Sequence, residues 1–198
     1  MSLPIIIAGK LLNLKIYLLE PNLILGRANK YFLSSCEKIF CYTDQIKNFP
    51  DSFKKKMVII DPLIRKNFYQ IKKKDNKSKK FTILIIGGSQ GARIFDNGIK
   101  ESIAILSKEF ELKIIQQTNK KNIFSLVEFY SSLKIENLIF DFNEDFMKIL
   151  EQTDLCITRA GASTLAELSI SNIPFIAVPL PTSKDNHQFE NANFYKEK

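Results

Sequence analysis

The stretch GGSQGAR at residues 87–93 has the spacing G-x-S-x-G, which suits two kinds of chemistry. As a nucleophile elbow, Ser89 would need a general base, and an acid followed by a histidine does occur later, as Asp154 or Asp185 and then His187. As a phosphate loop, the glycines would let backbone amides approach an anion while the Ser89 hydroxyl donates to it. We favour the phosphate or sugar-nucleotide loop, because His187 lies in a densely polar stretch typical of a ligand-binding surface. A purely structural turn is the third alternative.

A second corner of small residues, RAGASTLAE at residues 159–167, follows an apolar run. We expect Ser163 or Thr164 to cap the helix that begins here. Glu167 would then lie one helical turn in, where its carboxylate can accept two hydrogen bonds from a ribose diol. The alternative is that Glu167 only stabilises the positive end of the helix dipole.

Two further polar stretches also follow apolar runs. PLPTSKDNHQFENA, residues 179–192, presents amides and a carboxylate that suit the hydroxyl pattern of a sugar, with helix capping by Asp185 as the alternative. LLEPNLILGRAN, residues 18–29, contributes Glu20, Asn22 and Asn29. On its own this last stretch fits a binding loop and an ordinary loop equally well.

The apolar pattern supplies a framework that can position these corners. It predicts strands at 15–20, 38–43, 57–60, 81–87, 111–117, 137–140, 154–158 and 174–179. It predicts helices near 3–13, 24–35, 91–108, 121–132, 144–152, 162–171 and 186–197. Short apolar strands that alternate with helices predict parallel sheets covered on both faces, in which ligands bind at the carboxyl ends of the strands. The lysine-rich stretch from about 66 to 80 is the only break in composition.

Composition excludes several classes of protein. The 198 residues are 45% hydrophobic and 25% charged, as in ordinary globular proteins, and no run approaches the roughly 18 apolar residues of a membrane span. Cys36, Cys41 and Cys156 form no C-x-x-C pair, which predicts reduced thiols rather than disulfides or a zinc site. With His187 as the only histidine, we expect no structural metal.

The formal net charge of +8 is concentrated in KKK at 54–56 and KKKDNKSKK at 72–80. A solvated linker is the plain interpretation of these lysines. Attraction to an anionic membrane surface is the sharper one. Nucleic acid is a weaker third, because the run lacks interleaved aromatic residues, and we expect no nucleic-acid partner.

Taken in order, the stretches GGSQGAR, RAGASTLAEL and VPLPTSKDNHQFENA, with LLEPN before them, resemble the MurG-type glycosyltransferases over essentially the whole chain. That resemblance implies the α/β GT-B architecture: two Rossmann-like domains with parallel sheets, the first of them incomplete here. Residues 1–64 would be the C-terminal part of the acceptor-binding domain. Residues 65–198 would be most of the donor-binding domain.

The resemblance also implies the ligand contacts. Ser89 would contact the nucleotide within a phosphate loop formed by Gly87, Gly88 and Gly91, and Arg65 would lie at the nucleotide site. Asn143 would read the uracil through its backbone, and Glu167 would bind the ribose. Gln188 would bind the hydroxyls of N-acetylglucosamine, and Asn22, which matches the asparagine of the family's H-E-x-N motif, would bind the donor. The remaining residues implied at the start of the nucleotide-binding helix are Ala162, Ser163, Thr164, Leu165 and Ala166.

The implied reaction is inverting transfer of N-acetylglucosamine from UDP-N-acetylglucosamine to the C4 hydroxyl of undecaprenyl-linked muramoyl-pentapeptide in peptidoglycan synthesis. It would occur at the cytoplasmic face of the bacterial inner membrane, with the protein peripheral and without a cofactor. The family's G-G-T-G-G-H loop, which carries its general base, has no counterpart in this sequence, and LLEPN lacks the histidine of the family's H-E-x-N motif. Glu20 is the remaining candidate for a catalytic group. We therefore expect the chain alone to be a truncated form of the transferase with little or no turnover. The alternative is a residual module that binds UDP-sugar without turnover.

Overall fold

The computed structural model describes residues 3–71, 80–87, 94–181 and 183–196. The chain forms two compact units. The first comprises residues 1–63, 161–163 and 181–198, and the second comprises residues 64–160 and 164–180. The division after residue 63 lies beside the predicted boundary, whereas residues 181–198 group with the first unit rather than with the second. The roles of acceptor and donor domain stay a prediction.

The first unit is built on a parallel sheet in the order β1-β2-β3. Its strands are β1 (Tyr17–Glu20), β2 (Lys38–Cys41) and β3 (Met57–Ile59), and its helices are α1 (Leu3–Leu11), α2 (Arg27–Phe32) and, from the end of the chain, α7 (His187–Lys196). A 3-10 helix, Asp51–Lys56, leads into β3. Alternation along β1 turns Leu18 and Glu20 to the buried face, where Glu20 pairs in register with Cys41. A carboxylate therefore lies at the edge of the apolar core.

The second unit holds a five-stranded parallel sheet in the order β6-β5-β4-β7-β8. Its strands are β4 (Phe81–Ile86), β5 (Leu112–Gln117), β6 (Glu136–Phe140), β7 (Leu155–Thr158) and β8 (Phe175–Ala177). Its helices are α3 (Lys100–Leu106), preceded by a helical stretch at 94–98, α4 (Lys120–Ser132), α5 (Phe146–Glu151) and most of α6 (Ala162–Ile170), whose first two residues group with the first unit.

Both faces of this second sheet are covered, as continuous isoleucine-rich strands predict. Ile83 and Ile85 pack with Ile103 of α3 and with Leu126 of α4 on one face. The alternating Leu84 and Ile86 pack on the other face with residues of α5 and α6. The predicted α/β fold with parallel sheets is confirmed.

The lysine-rich break is shorter than predicted. Lys66–Gln70 forms a 3-10 helix, and its Phe68 is only 2% exposed because it packs into the core around Leu84. Residues 66–71 are therefore part of the folded second unit rather than linker. Residues 72–79, which carry most of the lysine run, lie outside the described residues.

The three cysteines are free and buried, and their reduced state stays a prediction. Burial and, to a smaller extent, the nearby Glu20 carboxylate together raise the pKa of the Cys41 thiol to about 12. Burial also raises the pKa values of Cys36 and Cys156. None of the three is an accessible thiolate nucleophile at neutral pH.

Candidate functional site

Two of the predicted binding stretches, the one after β4 and the one after β7, begin next to each other at one edge of the second sheet. Ile86 of β4 pairs with Thr158 of β7, so Gly87 and Arg159 are the next residues at the same carboxyl edge. The chain passes from β4 to β5 on one side, while β7 lies on the other side, which makes this edge the switch point of the sheet. Ligands of open parallel sheets bind at such points. Three predicted phosphate-loop residues, Gly88, Ser89 and Gly91, lie outside the described residues.

Arg159 is a site candidate that the sequence reasoning did not single out. Its side chain is buried although it is cationic, with the residue 7% exposed. One guanidinium nitrogen, Nη1, donates to the carbonyls of Val178 and Pro179 at 3.1 and 3.2 Å, and the group lies 5.3 Å from the centre of the Phe95 ring. Nε has no hydrogen-bond partner among the described residues. Burial lowers the pKa of Arg159, and a buried cation at a switch point favours an anionic ligand.

Glu167 lies one turn into α6, as predicted, with its side chain 19% exposed. The Nε atom of Arg65 donates to its Oε1 at 3.3 Å, and the Arg65 guanidinium lies 4.6 Å from the centre of the Phe68 ring. Two of the predicted nucleotide residues, 102 positions apart in sequence, are thus in contact. Because Arg65 is 64% exposed, the ion pair itself contributes little stability.

The start of α6 corrects one prediction. The helix begins at Ala162, so Ser163 and Thr164 lie inside its first turn and neither is the N-cap residue. Leu165 and Ala166 are buried, with 0% and 1% exposure. A ligand at this helix start would therefore meet the backbone of these two residues rather than their side chains.

Asn143 follows β6 and is half-buried. Its Oδ1 accepts the backbone N–H of Asp145 at 2.8 Å, which makes the side chain part of a turn. The backbone of Asn143 is what remains for a base, in line with its predicted role. That role stays a prediction.

In the first unit, Glu20 organises the loop after β1. The residue is 2% exposed, and its carboxylate accepts the Gly26 and Asn22 backbone N–H groups at 2.7 and 3.2 Å. It also accepts the side-chain amides of Asn22 and Asn29, each at 3.0 Å. With four donors on a buried carboxylate, Glu20 is not an open general base. The structure assigns it the role of shaping the loop that carries Asn22.

The segment from residue 185 into α7 is tied to the same unit. Asp185, whose φ of 56° is left-handed, accepts three hydrogen bonds from Nε and Nη2 of Arg27, while Lys47 pairs with Glu190 at 2.6 Å. Asn191, 0% exposed, accepts the Leu23 N–H at 3.0 Å and donates to Asn22. Asn191 was absent from the predicted site, although it belongs to the QFENA stretch.

Gln188 and His187 are half-buried in the first turn of α7. Gln188 therefore belongs to the same unit as Asn22, so these two residues predicted to bind the donor occur in one unit. Their contact with a sugar stays a prediction. In the described ranges no group of three or more His, Cys, Asp or Glu side chains lies close enough to hold a metal ion.

A buried polar network supports the segment after the glycine stretch. Asp96, 5% exposed, accepts hydrogen bonds from Gln116, Thr118 and Asn122 at 3.1, 2.9 and 2.7 Å. Tyr130 donates to Gln116 at 2.6 Å. This network joins the helical stretch at 94–98 to β5 and α4.

Known proteins resemble this chain over nearly all its length. The UDP-N-acetylglucosamine--N-acetylmuramyl-(pentapeptide) pyrophosphoryl-undecaprenol N-acetylglucosamine transferase of Pelagibacter ubique (strain HTCC1062) is 53% identical over 195 residues, which cover 98% of this chain and 55% of that protein. The transferase of the same name from Rickettsia felis is 35% identical over 202 residues, covering 96% and 56%. The chain thus spans about half the length of the curated relatives it matches.

The crystal structure of Acinetobacter baumannii MurG superposes with a TM-score of 0.77 at 26% identity, covering 99% of this chain and 55% of that one. This likeness confirms the predicted GT-B type of fold. The model of the glycosyltransferase family 28 C-terminal domain matches residues 82–198, which include the strand ends and helix starts described above. The resemblance to MurG-type enzymes is confirmed, and the chain belongs to glycosyltransferase family 28.

Proposed function

We propose that this chain binds UDP-N-acetylglucosamine and provides the donor side of an inverting transfer to the C4 hydroxyl of a lipid-linked muramoyl-pentapeptide. The observation that carries the proposal is the 53% identity, over 98% of the chain, to a relative named as that transferase. The structure supports it with the Arg65–Glu167 pair and with the buried, partly unpartnered Arg159 at the switch point of a parallel sheet.

The proposed role of each residue follows from the chemistry of its side chain. Glu167 would accept hydrogen bonds from the ribose hydroxyls, and Arg159 would lie near the negative charge of the diphosphate. During transfer the acceptor oxygen bonds to the anomeric carbon, the bond from that carbon to UDP breaks, and a base takes the hydroxyl proton. Fixed N–H groups and positive charge at the switch point would stabilise the UDP anion as it leaves.

Calorimetric titration tests donor binding. We expect saturable binding of UDP-N-acetylglucosamine and of UDP to the wild-type chain. Glu167→Gln should weaken both by about tenfold or more, because a carboxylate acceptor is replaced by a neutral amide at the ribose. Glu128→Gln, an exposed residue of α4, is the matched control and should bind like wild type. Absence of saturable binding by the wild-type chain would refute the proposal.

We further propose that the protein acts peripherally at the cytoplasmic face of a bacterial inner membrane, where a lipid-linked acceptor would be presented. Within the described residues, no helix is long and apolar enough to cross a membrane. Support comes from α1 and the residues after it, where Ile5, Leu11, Leu12 and Leu14 are 62–81% exposed, together with the net charge of +8.

A further inference from the structure

Three hydrogen bonds in the first unit form a directed chain. The backbone N–H of Leu23 donates to Oδ1 of Asn191 at 3.0 Å. Nδ2 of Asn191 donates to Oδ1 of Asn22 at 3.1 Å. Nδ2 of Asn22 donates to Oε1 of Glu20 at 3.0 Å. This series of hydrogen bonds joins Asn22 and Asn191, which are 169 positions apart in sequence. It also sets the environment of the half-buried side-chain amide of Asn22.

The two ends of this chain fix its direction. A carboxylate can only accept hydrogen bonds and a backbone N–H can only donate one. Glu20 therefore selects the NH₂ group of Asn22, which turns the Asn22 carbonyl toward Asn191. Leu23 selects the carbonyl of Asn191, which turns its NH₂ group toward Asn22. The two amide orientations agree with each other, because the Glu20 carboxylate fixes one and the Leu23 N–H fixes the other.

Burial separates the supporting residues from the exposed one. Glu20 and Asn191 are 2% and 0% exposed, so neither can contact a ligand directly. Asn22 is half-buried and keeps one N–H and one carbonyl lone pair after its two bonds are made. A fixed amide with one donor and one acceptor left over matches a sugar hydroxyl, which can accept and donate at once.

We propose that Glu20 and Asn191 are positioning residues that hold the Asn22 amide in a single orientation for a hydroxyl group of the donor sugar. This inference rests on the proposed function and goes beyond it, because it assigns sugar selectivity to a buried residue of α7. Asn191 acts through Asn22 and makes no contact with the sugar. Its effect should therefore appear in the preference for the sugar rather than in nucleotide binding.

The test compares Asn191→Asp with Glu190→Gln, measuring the dissociation constants of UDP and of UDP-N-acetylglucosamine by calorimetry on the full chain. The carboxylate introduced by Asn191→Asp still accepts the Leu23 N–H but cannot donate to Asn22. Glu20 then still requires the NH₂ group of Asn22, while the Asn22 carbonyl faces a second acceptor, so the two neighbours no longer favour the same amide orientation. We expect the ratio of the UDP constant to the UDP-N-acetylglucosamine constant to fall about three- to tenfold, the range for one hydrogen bond. The UDP constant should change by less than about twofold. The control variant Glu190→Gln changes a neighbouring residue of α7. It breaks the ion pair between Glu190 and Lys47 and should leave the ratio of the two dissociation constants unchanged.

The other outcomes separate failure of the positioning role from failure of the proposed function. If Asn191→Asp folds and keeps the wild-type ratio, the positioning role is wrong while the proposed function stands. If the wild-type chain binds both ligands equally, no sugar preference exists for Asn191 to support, and the inference fails. If it binds neither, the proposed function itself fails. Circular dichroism reports folding, and Asn191→Ala, which adds no buried charge, replaces Asn191→Asp should that variant unfold. If both variants unfold, the network serves folding and the positioning role is rejected.

Discussion

At the scale of single residues, two glutamates show how environment decides the work of a carboxylate. Glu20 is buried and surrounded by neutral amide donors, so it shapes a loop. Glu136 on β6 is exposed and lies between two lysines, with Oε2 at 2.8 Å from Lys80 and Oε1 at 2.9 Å from Lys113. The hydrogen bond from Lys80, then that from Lys113, lowers the pKa of Glu136 to about 2.

This pKa predicts a small, acid-sensitive contribution to stability. Because the folded-state pKa lies below the ordinary value of 4.5, the contribution is present above about pH 4.5 and is lost as the pH falls toward 2. We expect Glu136→Gln to lower the free energy of unfolding by at most about 1 kcal/mol at pH 7, since the pairs are exposed and screened by salt. Urea unfolding at pH 7 and pH 2.5 checks this, with Glu109→Gln as a control for removal of an exposed charge. If Glu136→Gln lowered the free energy of unfolding as much at pH 2.5 as at pH 7, the lowered pKa of Glu136 would be contradicted.

The sequence predicted some site residues better than others, for a physical reason. Glu167 was predictable because a strand, a turn of small residues and a helix are adjacent in sequence. Asn191 and the buried state of Glu20 were not, because the Asn191 side chain bonds Leu23 from 168 positions away. The sequence did not predict Arg159 as a site residue, because nothing in RAGAS indicates that its guanidinium is buried. Predicted contacts of Ser89, Gly88 and Gly91 fall outside the described residues and stay predictions.

At the scale of elements, all eight strands occur where the sequence places them, because short runs of isoleucine, valine and phenylalanine bury both faces of a parallel sheet. Helix ends were less predictable. The helix expected at 24–35 is limited to Arg27–Phe32, and the 3-10 helix at Lys66–Gln70 was not predicted. Ends depend on caps and tertiary contacts, such as the packing of Phe68 against the second sheet, that short-range patterns do not encode.

The contact of α4 with β5 gives a prediction at this scale. Tyr130 of α4 is 0% exposed, and its hydroxyl donates to Oε1 of Gln116 on β5 at 2.6 Å. Tyr130→Phe keeps the ring but leaves a buried Gln116 oxygen without this donor, so we expect a loss of about 1–3 kcal/mol in the free energy of unfolding. Urea denaturation measures the loss. Tyr31→Phe, at a residue 77% exposed, should change it by less than about 0.5 kcal/mol, and an equally small change for Tyr130→Phe would disprove the role of this bond.

For the whole molecule, the proposed peripheral role would use net charge and exposed apolar area together. The net charge of +8 attracts an anionic surface, at about 1 kcal/mol for each basic residue close to it. Ile5 and Leu11 of α1 are 75% and 81% exposed, so they can enter the interfacial region of a bilayer without unfolding the protein. Neither effect alone gives stable membrane association.

We therefore expect the chain to co-sediment with vesicles that contain anionic phosphatidylglycerol, and to bind less as the salt concentration rises. Replacing both Ile5 and Leu11 by serine should reduce binding several-fold, because apolar area that enters the bilayer is lost. Ile105→Ser, at a residue 56% exposed on α3, is the matched control and should bind like wild type. Binding that is independent of anionic lipid would count against the electrostatic part, and binding unaffected by the two serines would count against α1.

The order of strands in the second sheet also matters during translation. β4 lies at the centre of that sheet, but its two neighbours leave the ribosome at very different times. β5 follows β4 at Leu112, whereas the opposite edge of β4 is paired only by β7, whose first residue is Leu155. A nascent chain therefore carries an isoleucine-rich edge with unpaired backbone groups until β7 emerges, and that edge can pair with other chains. The speed of elongation between these two strands thus sets how long this edge of a newly made molecule stays unpaired.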